Sequence, residues 1–343
     1  MGYTLSRRNV LKALGLAVCT PVFTNFARAD ESEWVLGFGS CMSTRRSQNF
    51  WKAILSRHYN HWVFLGDNVY PQRDSLESLR QAYVELGKLE QMAQLRSAVS
   101  VSATWDDHDF GADNADSSLP YRMESMQMFK DFWSQDYGSS ENGVYSAHTF
   151  EHQGRKIHLI LLDLRFNRTP YAKHARVTSS GPGESGSMKQ LTPQLLGDEQ
   201  WRWFEAEMEK PADLKIVGSS IQVLSFEHNF EKWKNYPEEY DRLMTLVGRI
   251  SSPTIFLSGD RHLHEISKNQ LVSGRTLYDF TSSGLNKAEG LSRFERNRLR
   301  MERCLDDGFG EIRVRWDGAN PVVTMQMIDD KGSVRFASAD TLV

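Results

Sequence analysis

The sequence predicts an α/β fold in which two stacked mixed β-sheets are flanked by helices. Up to about residue 260, short apolar segments alternate with amphipathic helical segments, a pattern typical of strands joined by helices. From residue 310 to residue 336, apolar and polar residues alternate instead, with turns indicated at Asp317-Gly318 and Lys331-Gly332. This second pattern predicts an antiparallel meander in the last part of the chain.

Strands are predicted where short apolar runs are bounded by turn residues. They lie at residues 34–41, 61–65, 99–104, 214–218 and 254–257, with a hairpin of residues 144–150 and 156–162. Helices are predicted where apolar residues recur with a helical period. They lie at residues 75–88, 123–133, 192–210 and 237–250. Asp74 and Glu77 resemble a capping box, and Thr192 is the expected N-cap of the helix that Pro193 opens.

The first 29 residues are predicted to be a signal peptide of the twin-arginine type. Arg7-Arg8 precedes an apolar run at residues 13–23, and Ala27-Arg28-Ala29 is the candidate cleavage site. The run is too short for a stable membrane span. We therefore expect the twin-arginine (Tat) export machinery to carry a single folded domain, residues 30–343, to the periplasm or out of the cell.

The composition agrees with one globular domain of ordinary type. Of the 343 residues, 40% are hydrophobic and 25% are charged. The formal net charge is −3, and removal of the predicted leader makes it −7 because residues 1–29 contain four basic residues and no acid. A chain this acidic is not expected to bind nucleic acid.

Acidic residues are concentrated after the third predicted strand, in the segment Trp105-Asp106-Asp107-His108-Asp109. Carboxylates this close repel one another, and their burial without partners is unfavourable. A cation removes the repulsion, and carboxylate oxygens and imidazole nitrogens are common metal ligands. Open α/β sheets also hold ligands at the carboxyl ends of their strands. The segment indicates a metal site, although a solvated acidic turn would have the same composition.

Three other predicted strands end in residues of similar chemistry. The first strand ends at Cys41, and the second runs into Asp67 with Tyr70 three residues later. The strand at residues 254–257 runs into Asp260. Because four strand ends carry such residues, we expect them to meet in one site.

The segment after residue 257 also contains Arg261, His262 and His264. If it is extended, the two histidine side chains point the same way. That arrangement suits two imidazoles on one metal, or one on a metal and one on a substrate. Arg261 offers the planar fork that binds phosphate oxygens.

These motifs, taken together and in this order, resemble those of a known family, the PhoD-like (alkaline phosphatase D) branch of the calcineurin-like metallophosphoesterases. The matching segments are Gly39-Ser40-Cys41, Gly66-Asp67-Asn68-Val69-Tyr70, Trp105-Asp106-Asp107-His108-Asp109, Leu162-Asp163-Leu164-Arg165, Leu196-Gly197-Asp198-Glu199-Gln200-Trp201 and Ser258-Gly259-Asp260-Arg261-His262. The resemblance covers about residues 34–328. It implies a four-layer α/β-β/α sandwich in which residues 30–343 form the catalytic domain.

The resemblance also implies metal ligands. Asp67 would bridge two ions, and Cys41 and Tyr70 would complete the anionic ligands of one of them. A thiolate and a phenolate suit Fe³⁺, and similar family members combine iron with Ca²⁺; Zn²⁺ and Mn²⁺ are alternatives. The further implied ligands are Asp107, Asn114, Asp260, His262 and His264, with Asp113 and Asp116 as alternatives to Asn114.

Three residues are the implied catalytic groups. His108 would act as general acid or as a donor to the transition state, because imidazole titrates near neutral pH. Arg165 and Arg261 would hold phosphate oxygens, and pairing of Arg165 with Asp163 is an equal alternative for that side chain.

We expect a secreted metal-dependent phosphoesterase that hydrolyses monoesters, diesters or both through a metal-bound hydroxide. One alternative is a phosphodiesterase resembling phospholipase D. Another is a non-catalytic relative that binds calcium or phosphate, but the presence of Asp67 and His108 argues against it. A glycosidase that uses a carboxylate pair would explain Asp106, Asp107 and Asp109. It would not explain Cys41, Tyr70 or the pair of His262 and His264.

Overall fold

The computed structural model describes residues 32–138, 141–170, 193–289 and 295–343. The predicted leader and Thr192 lie outside the described residues. Among the helices in these ranges, none has both the length and the apolar character needed to cross a lipid bilayer.

The first sheet has a parallel half and an antiparallel half. The parallel half consists of β1 (Trp34–Gly39), β2 (His61–Leu65) and β3 (Ser100–Thr104). The antiparallel half consists of β11 (Gly308–Asp317), β12 (Asn320–Asp329) and β13 (Val334–Thr341). The strand order is β13-β12-β11-β1-β2-β3, so the C-terminal meander is confirmed and pairs directly with the first strand.

The second sheet has seven strands among the described residues, and four of them are parallel. They are β4 (Ser146–His152), β5 (Arg155–Leu161), β6 (Leu214–Gly218), β7 (Thr254–Ser258), β8 (His264–Gln270), β9 (Thr276–Ser282) and β10 (Arg300–Cys304). Their order is β10-β8-β9-β7-β6-β5-β4. Three strands of this sheet, β8 to β10, were not predicted, because segments such as His264–Gln270 are too polar to give an apolar strand signal.

Helices cover the outer face of each sheet. The first sheet carries α1 (Phe50–Leu55), α2 (Leu76–Gly87), α3 (Glu90–Ala98), the single turn α4 (Asp107–Phe110) and α5 (Arg122–Trp133). The second sheet carries α6 (Gly197–Glu209) and α7 (Pro237–Arg249). Between the sheets, the rings of Phe38 and Phe280 meet edge to face with centroids 5.0 Å apart. The predicted four-layer sandwich is confirmed.

Two helices begin at residues other than the predicted ones. Ser75, with an extended backbone, is the N-cap of α2, and its side chain accepts a hydrogen bond from the amide of Ser78 at 3.3 Å. The helix α6 begins at Gly197 instead of Pro193. The reason is that the amides of Leu195 and Leu196 donate to the Glu239 carboxylate of α7, which fixes the preceding chain outside the helix.

Buried His61 is expected to make stability depend on pH. Its Nε2 lies 2.9 Å from Ser102 Oγ, and burial together with the nearby His148 lowers its pKa from 6.5 to about 3. Between pH 6.5 and about pH 3, the His61 side chain binds a proton in the unfolded chain but not in the folded chain. The free energy of unfolding should therefore fall on acidification below the unfolded pKa, by up to ~1.4 kcal/mol per pH unit.

Denaturant unfolding between pH 6.5 and pH 4 measures this dependence, within the interval bounded by the two pKa values. His61→Gln should flatten the curve, and His58→Gln, at an exposed histidine, is the matched control. If the free energy of unfolding depends on pH equally in wild type and in His61→Gln, His61 is not the cause of the dependence.

Candidate active site

The carboxyl ends of the parallel strands of both sheets meet at one place. The chain after β1 crosses the end of β2, where the Cys41 amide donates to the Gly66 carbonyl at 3.2 Å. A parallel bridge between Ser40 and Ser283 joins the ends of β1 and β9, and so joins the two sheets. The fit is close enough that a Cβ on Gly66, at φ 97°, would lie 2.7 Å from the Asp106 nitrogen. The predicted convergence of strand ends is confirmed by this geometry.

Several site residues have a left-handed backbone. The φ angles are 58° at Cys41, 51° at Asp67, 66° at Asp260 and 53° at His262. Non-glycine residues adopt this region infrequently, and such strain is concentrated at functional sites. The side chains of these residues lie together in a group of potential ligands or in the wall of one cavity at the strand ends.

The first group of potential metal ligands consists of Cys41, Asp67 and His262, whose ligand atoms lie within 4.8 Å of one another. Tyr70 adjoins this group: its hydroxyl donates to Asp67 Oδ2 at 2.5 Å and lies 3.5 Å from His262 Nε2. A thiol, a phenol, a carboxyl and an imidazole therefore face one point.

The second group consists of Asp67, Asp107 and His108, again within 4.8 Å. Asp67 thus belongs to both groups, at the position expected of a bridging ligand. The backbone fixes Asp107, because its Oδ2 accepts a hydrogen bond of 2.6 Å from the Asn114 amide. The Asn114 side chain lies at the exposed rim of the same cavity and donates to Asp113.

The electrostatics of the site fit a bound cation. Burial and the charges of Asp107 and Cys41 raise the pKa of Asp67 well above its usual value. Burial raises the pKa of the Cys41 thiol to about 11 and that of the Tyr70 hydroxyl well above its ordinary value. A cation at this point would reverse each of these shifts and stabilise the anionic forms. The donor set also has the mixture of sulfur, nitrogen and oxygen ligands that transition metals accept.

Most of these potential ligands line a cavity of about 470 Å³, whereas Cys41 and Tyr70 are not part of its wall. Its wall includes Asp67, Asp107, His108, Asp260, Arg261 and His262, together with Asp113, Asn114, Phe230, Glu231, Lys287 and Glu289. The volume is in the range of small-molecule sites.

The family model of the PhoD-like phosphatases matches residues 36–301, which is most of the chain. The chain belongs to the PhoD-like phosphatase family. This confirms the resemblance inferred from the motifs. It also shows that the chain is a metal-dependent phosphoesterase. No curated protein sequence matches it.

Solved structures of related fold agree with this family. A structure of PhoD is 16% identical, with a TM-score of 0.72, and the match covers 90% of this chain and 68% of that chain. The purple acid phosphatase PPD1 from seeds of yellow lupin (Lupinus luteus) is 11% identical, with a TM-score of 0.62, and the match covers 90% and 54%. The chain therefore spans about half the length of the lupin enzyme. At these identities the likeness establishes the metallophosphoesterase fold.

His108 and Arg261 of this PhoD-like phosphatase both face the cavity. The His108 ring packs on Tyr70 with centroids 4.3 Å apart, and its side chain keeps 26% of its surface exposed. The Arg261 guanidinium lies 3.7 Å from the centroid of the Phe230 ring and forms an ion pair with Glu295. Both side chains are within the site where the sequence predicted catalytic groups.

Arg165 is not placed as expected. Its guanidinium is fully buried, pairs with Asp106 at 2.5 Å and with Glu231 at 2.7 Å, and is not part of the cavity wall. The predicted alternative partner, Asp163, contacts only the Arg165 amide, at 2.8 Å. Arg165 therefore holds Asp106 in position from outside the cavity and does not face a bound phosphate. The reason is Glu231, a distant residue in the sequence that supplies the second carboxylate.

His264 does not join either group of ligands. The prediction that it shares a metal with His262 assumed an extended segment, but His262 has a φ of 53° and β8 begins only at His264. The ring is fully buried, its Nδ1 lies 3.2 Å from Ser282 Oγ, and burial lowers its pKa to about 4. This geometry gives His264 a packing role in the sheet.

The loop after β9 contributes residues that the sequence analysis missed. Ser283 Oγ lies 3.1 Å from Cys41 Sγ and accepts a hydrogen bond from the His262 amide at 2.7 Å. Lys287 and Glu289 follow in the cavity wall. The sequence does contain a signal, because Ser283-Gly284 follows β9 in the same way as polar residues follow the other strands, but β9 itself was not predicted.

Glu289 is expected to orient His262. Its carboxylate lies 3.3 Å from Nδ1, while Nε2 faces Tyr70, so the ring presents Nε2 to the ligand group. Carboxylates in this position fix the tautomer of a metal-binding histidine. Glu289→Gln should lower metal affinity about 10- to 100-fold. Titration of the loaded protein with a chelator measures this, with Glu302→Gln on exposed β10 as control. Equal metal retention in both variants would contradict the role.

Proposed function

We propose that this phosphatase hydrolyses phosphate monoesters, diesters or both at a centre of at least two metal ions. The proposal rests on the position of Asp67, because its carboxylate is shared by the two groups of potential metal ligands. Two-metal hydrolysis requires one ligand shared between neighbouring ions, and the remaining ligands must lie on either side of it.

The chain offers a different set of ligands to each ion. Cys41, Tyr70 and His262 would hold one ion together with Asp67. Asp107 would hold the other, with oxygens near Asn114 at the rim. The thiol and phenol favour Fe³⁺ on the first side, and the oxygen ligands favour Ca²⁺ on the second; Zn²⁺ and Mn²⁺ are the alternatives to be tested. Bound ions would supply an activated water and offset charge in the transition state.

The protein's own residues would position the ester and supply a proton. His108 lies on the cavity wall beside Tyr70, where its protonated imidazole would donate a proton to the oxygen of the leaving group. Arg261 would bind an oxygen of the phosphoryl group, since stacking on Phe230 holds its planar face in place.

The proposal is tested with the purified protein by elemental analysis and by hydrolysis of p-nitrophenyl phosphate and bis(p-nitrophenyl) phosphate, before and after treatment with EDTA. We expect bound metal, turnover of at least one ester and loss of turnover on chelation. Preference for the diester would favour a phosphodiesterase resembling phospholipase D. Phosphate binding without turnover of either ester would favour the non-catalytic relative and overturn the enzyme proposal.

We also propose export through the twin-arginine machinery, with the enzyme acting in the periplasm or outside the cell. The support is the Arg7-Arg8 pair before an apolar run and an Ala-x-Ala segment. Replacing both arginines by lysine in the full chain should retain the protein in the cytoplasm. Unchanged export of that variant would reject the twin-arginine route.

A further inference from the structure

The segment of residues 283–289, here called the β9 loop, is held in place by the residues around the first group of ligands. The amides of Gly284 and Leu285 both donate to the Ser40 carbonyl, at 3.1 and 3.0 Å. The Asn286 side chain accepts from the Ser43 amide at 2.7 Å and donates to the Ser43 carbonyl at 2.8 Å. This loop is therefore a fixed part of the site wall.

Further along the same loop, the Ala288 amide donates to Asp307 at 2.9 Å and the Glu289 amide to the His262 carbonyl at 3.2 Å. Lys287 lies between these anchors. Because the backbone on both sides is fixed, the direction in which Lys287 leaves the loop is set by the fold.

The Lys287 side chain extends over the site. Its Nζ lies 4.1 Å from the centroid of the Tyr70 ring, and its side chain keeps 19% of its surface exposed. It is the one lysine among the described residues that line the cavity. Its nearest ion-pair partner, Glu289, is 3.9 Å away, which is too long for a hydrogen bond. The ammonium group therefore keeps donor capacity directed at the cavity.

The other cationic side chains near the site are bound more firmly. The Arg165 guanidinium is enclosed by Asp106 and Glu231. Arg261 already forms an ion pair with Glu295. Of these three cationic side chains, Lys287 has the weakest ion pairing and is therefore the one most available to bind an anionic substrate.

We propose that Lys287 binds a nonbridging oxygen of the substrate phosphoryl group and favours monoesters over diesters. This inference rests on the proposed function. A monoester carries up to two negative charges on its phosphoryl oxygens and a diester carries one, so a point charge at this position attracts the monoester more strongly. Lysine suits the task because its ammonium binds phosphate as a compact charge.

The test uses the metal-loaded protein and the variants Lys287→Met and Lys287→Arg. We expect Lys287→Met to lower kcat/KM for p-nitrophenyl phosphate about 10- to 100-fold and that for bis(p-nitrophenyl) phosphate clearly less. It should also weaken competitive inhibition by inorganic phosphate, while metal content stays at the wild-type level. Lys287→Arg should restore most of both properties. Lys331→Met, in the exposed turn after β12, controls for the loss of one positive charge.

Three outcomes would overturn the inference. The first is an unchanged response to phosphate and to both esters in Lys287→Met. The second is an equal loss for both esters together with reduced metal content, which would indicate that Lys287 only supports Tyr70. The third is that the loaded wild type binds no phosphate in a thermal-shift titration. If wild type binds phosphate but hydrolyses neither ester, the proposed function fails, and weaker phosphate binding by Lys287→Met still supports the inference.

Discussion

Replacement of Asp67 by asparagine is expected to lower kcat/KM for phosphate-ester hydrolysis by at least about 10³-fold, or ~4 kcal/mol of transition-state stabilisation. Asp67 is the residue common to both ligand groups, so its loss affects both ions at once. We also expect the purified variant to hold less metal than wild type, as measured by elemental analysis.

The substitution is well suited to the test because asparagine is expected to keep the backbone conformation of Asp67. Asp67 has a φ of 51°, and asparagine tolerates this left-handed region as well as aspartate does. In the absence of metal, asparagine removes the repulsion from Asp107 and Cys41 that raises the pKa of Asp67. The metal-free variant should therefore be at least as stable as metal-free wild type, while the stabilisation gained on adding metal is lost.

Asp198→Asn, on the exposed first turn of α6, makes the same chemical change away from the site and is the control. Full metal content and full activity in Asp67→Asn would exclude a bridging role. A metal-free variant that melts well below metal-free wild type would instead show that the substitution damages the fold.

Replacement of Glu231 by glutamine is expected to give the largest loss of stability. Glu231 is buried and pairs with Arg165 at 2.7 Å and also with Arg168, both of which are buried. The charges of these arginines lower the pKa of Glu231 although burial alone would raise it. Without the Glu231 carboxylate, Arg165 keeps Asp106 as an ion-pair partner, whereas buried Arg168 loses the carboxylate with which it pairs. Breaking a buried pair costs about 3–5 kcal/mol, or roughly 5–10 °C in Tm for a domain of this size.

Glu227→Gln, at an exposed position four residues earlier, is the matched control. The double variant Glu231→Gln with Arg168→Met should be less destabilised than the sum of the single variants, because the two side chains pair with each other and the double variant removes both partners of that pair. Additive losses of unfolding free energy would mean that the two side chains do not interact.

The sequence determined the strands that carry the four polar ends, and the chemistry at those ends. The strand His61–Leu65 matches its prediction at both ends, and the polar ends at Cys41, Asp67, Asp107 and Asp260 do meet. This could be predicted because parallel strands place their carboxyl ends at one edge, and because ligands that follow a strand closely can move little from that edge.

Only the tertiary structure decided which of the remaining side chains reach the site. Ion pairs with Asp106 and Glu231 hold the Arg165 side chain away from the cavity. The left-handed backbone at His262 directs the His264 side chain away from the metal ligands. Lys287 is directed toward the site by a loop anchored on Ser40. Each outcome depends on partners far apart in the chain or on a single backbone angle, and neither leaves a periodic pattern in the sequence. Strand ends are local properties of the chain, whereas the orientation of a charged side chain depends on the neighbours that folding brings to it.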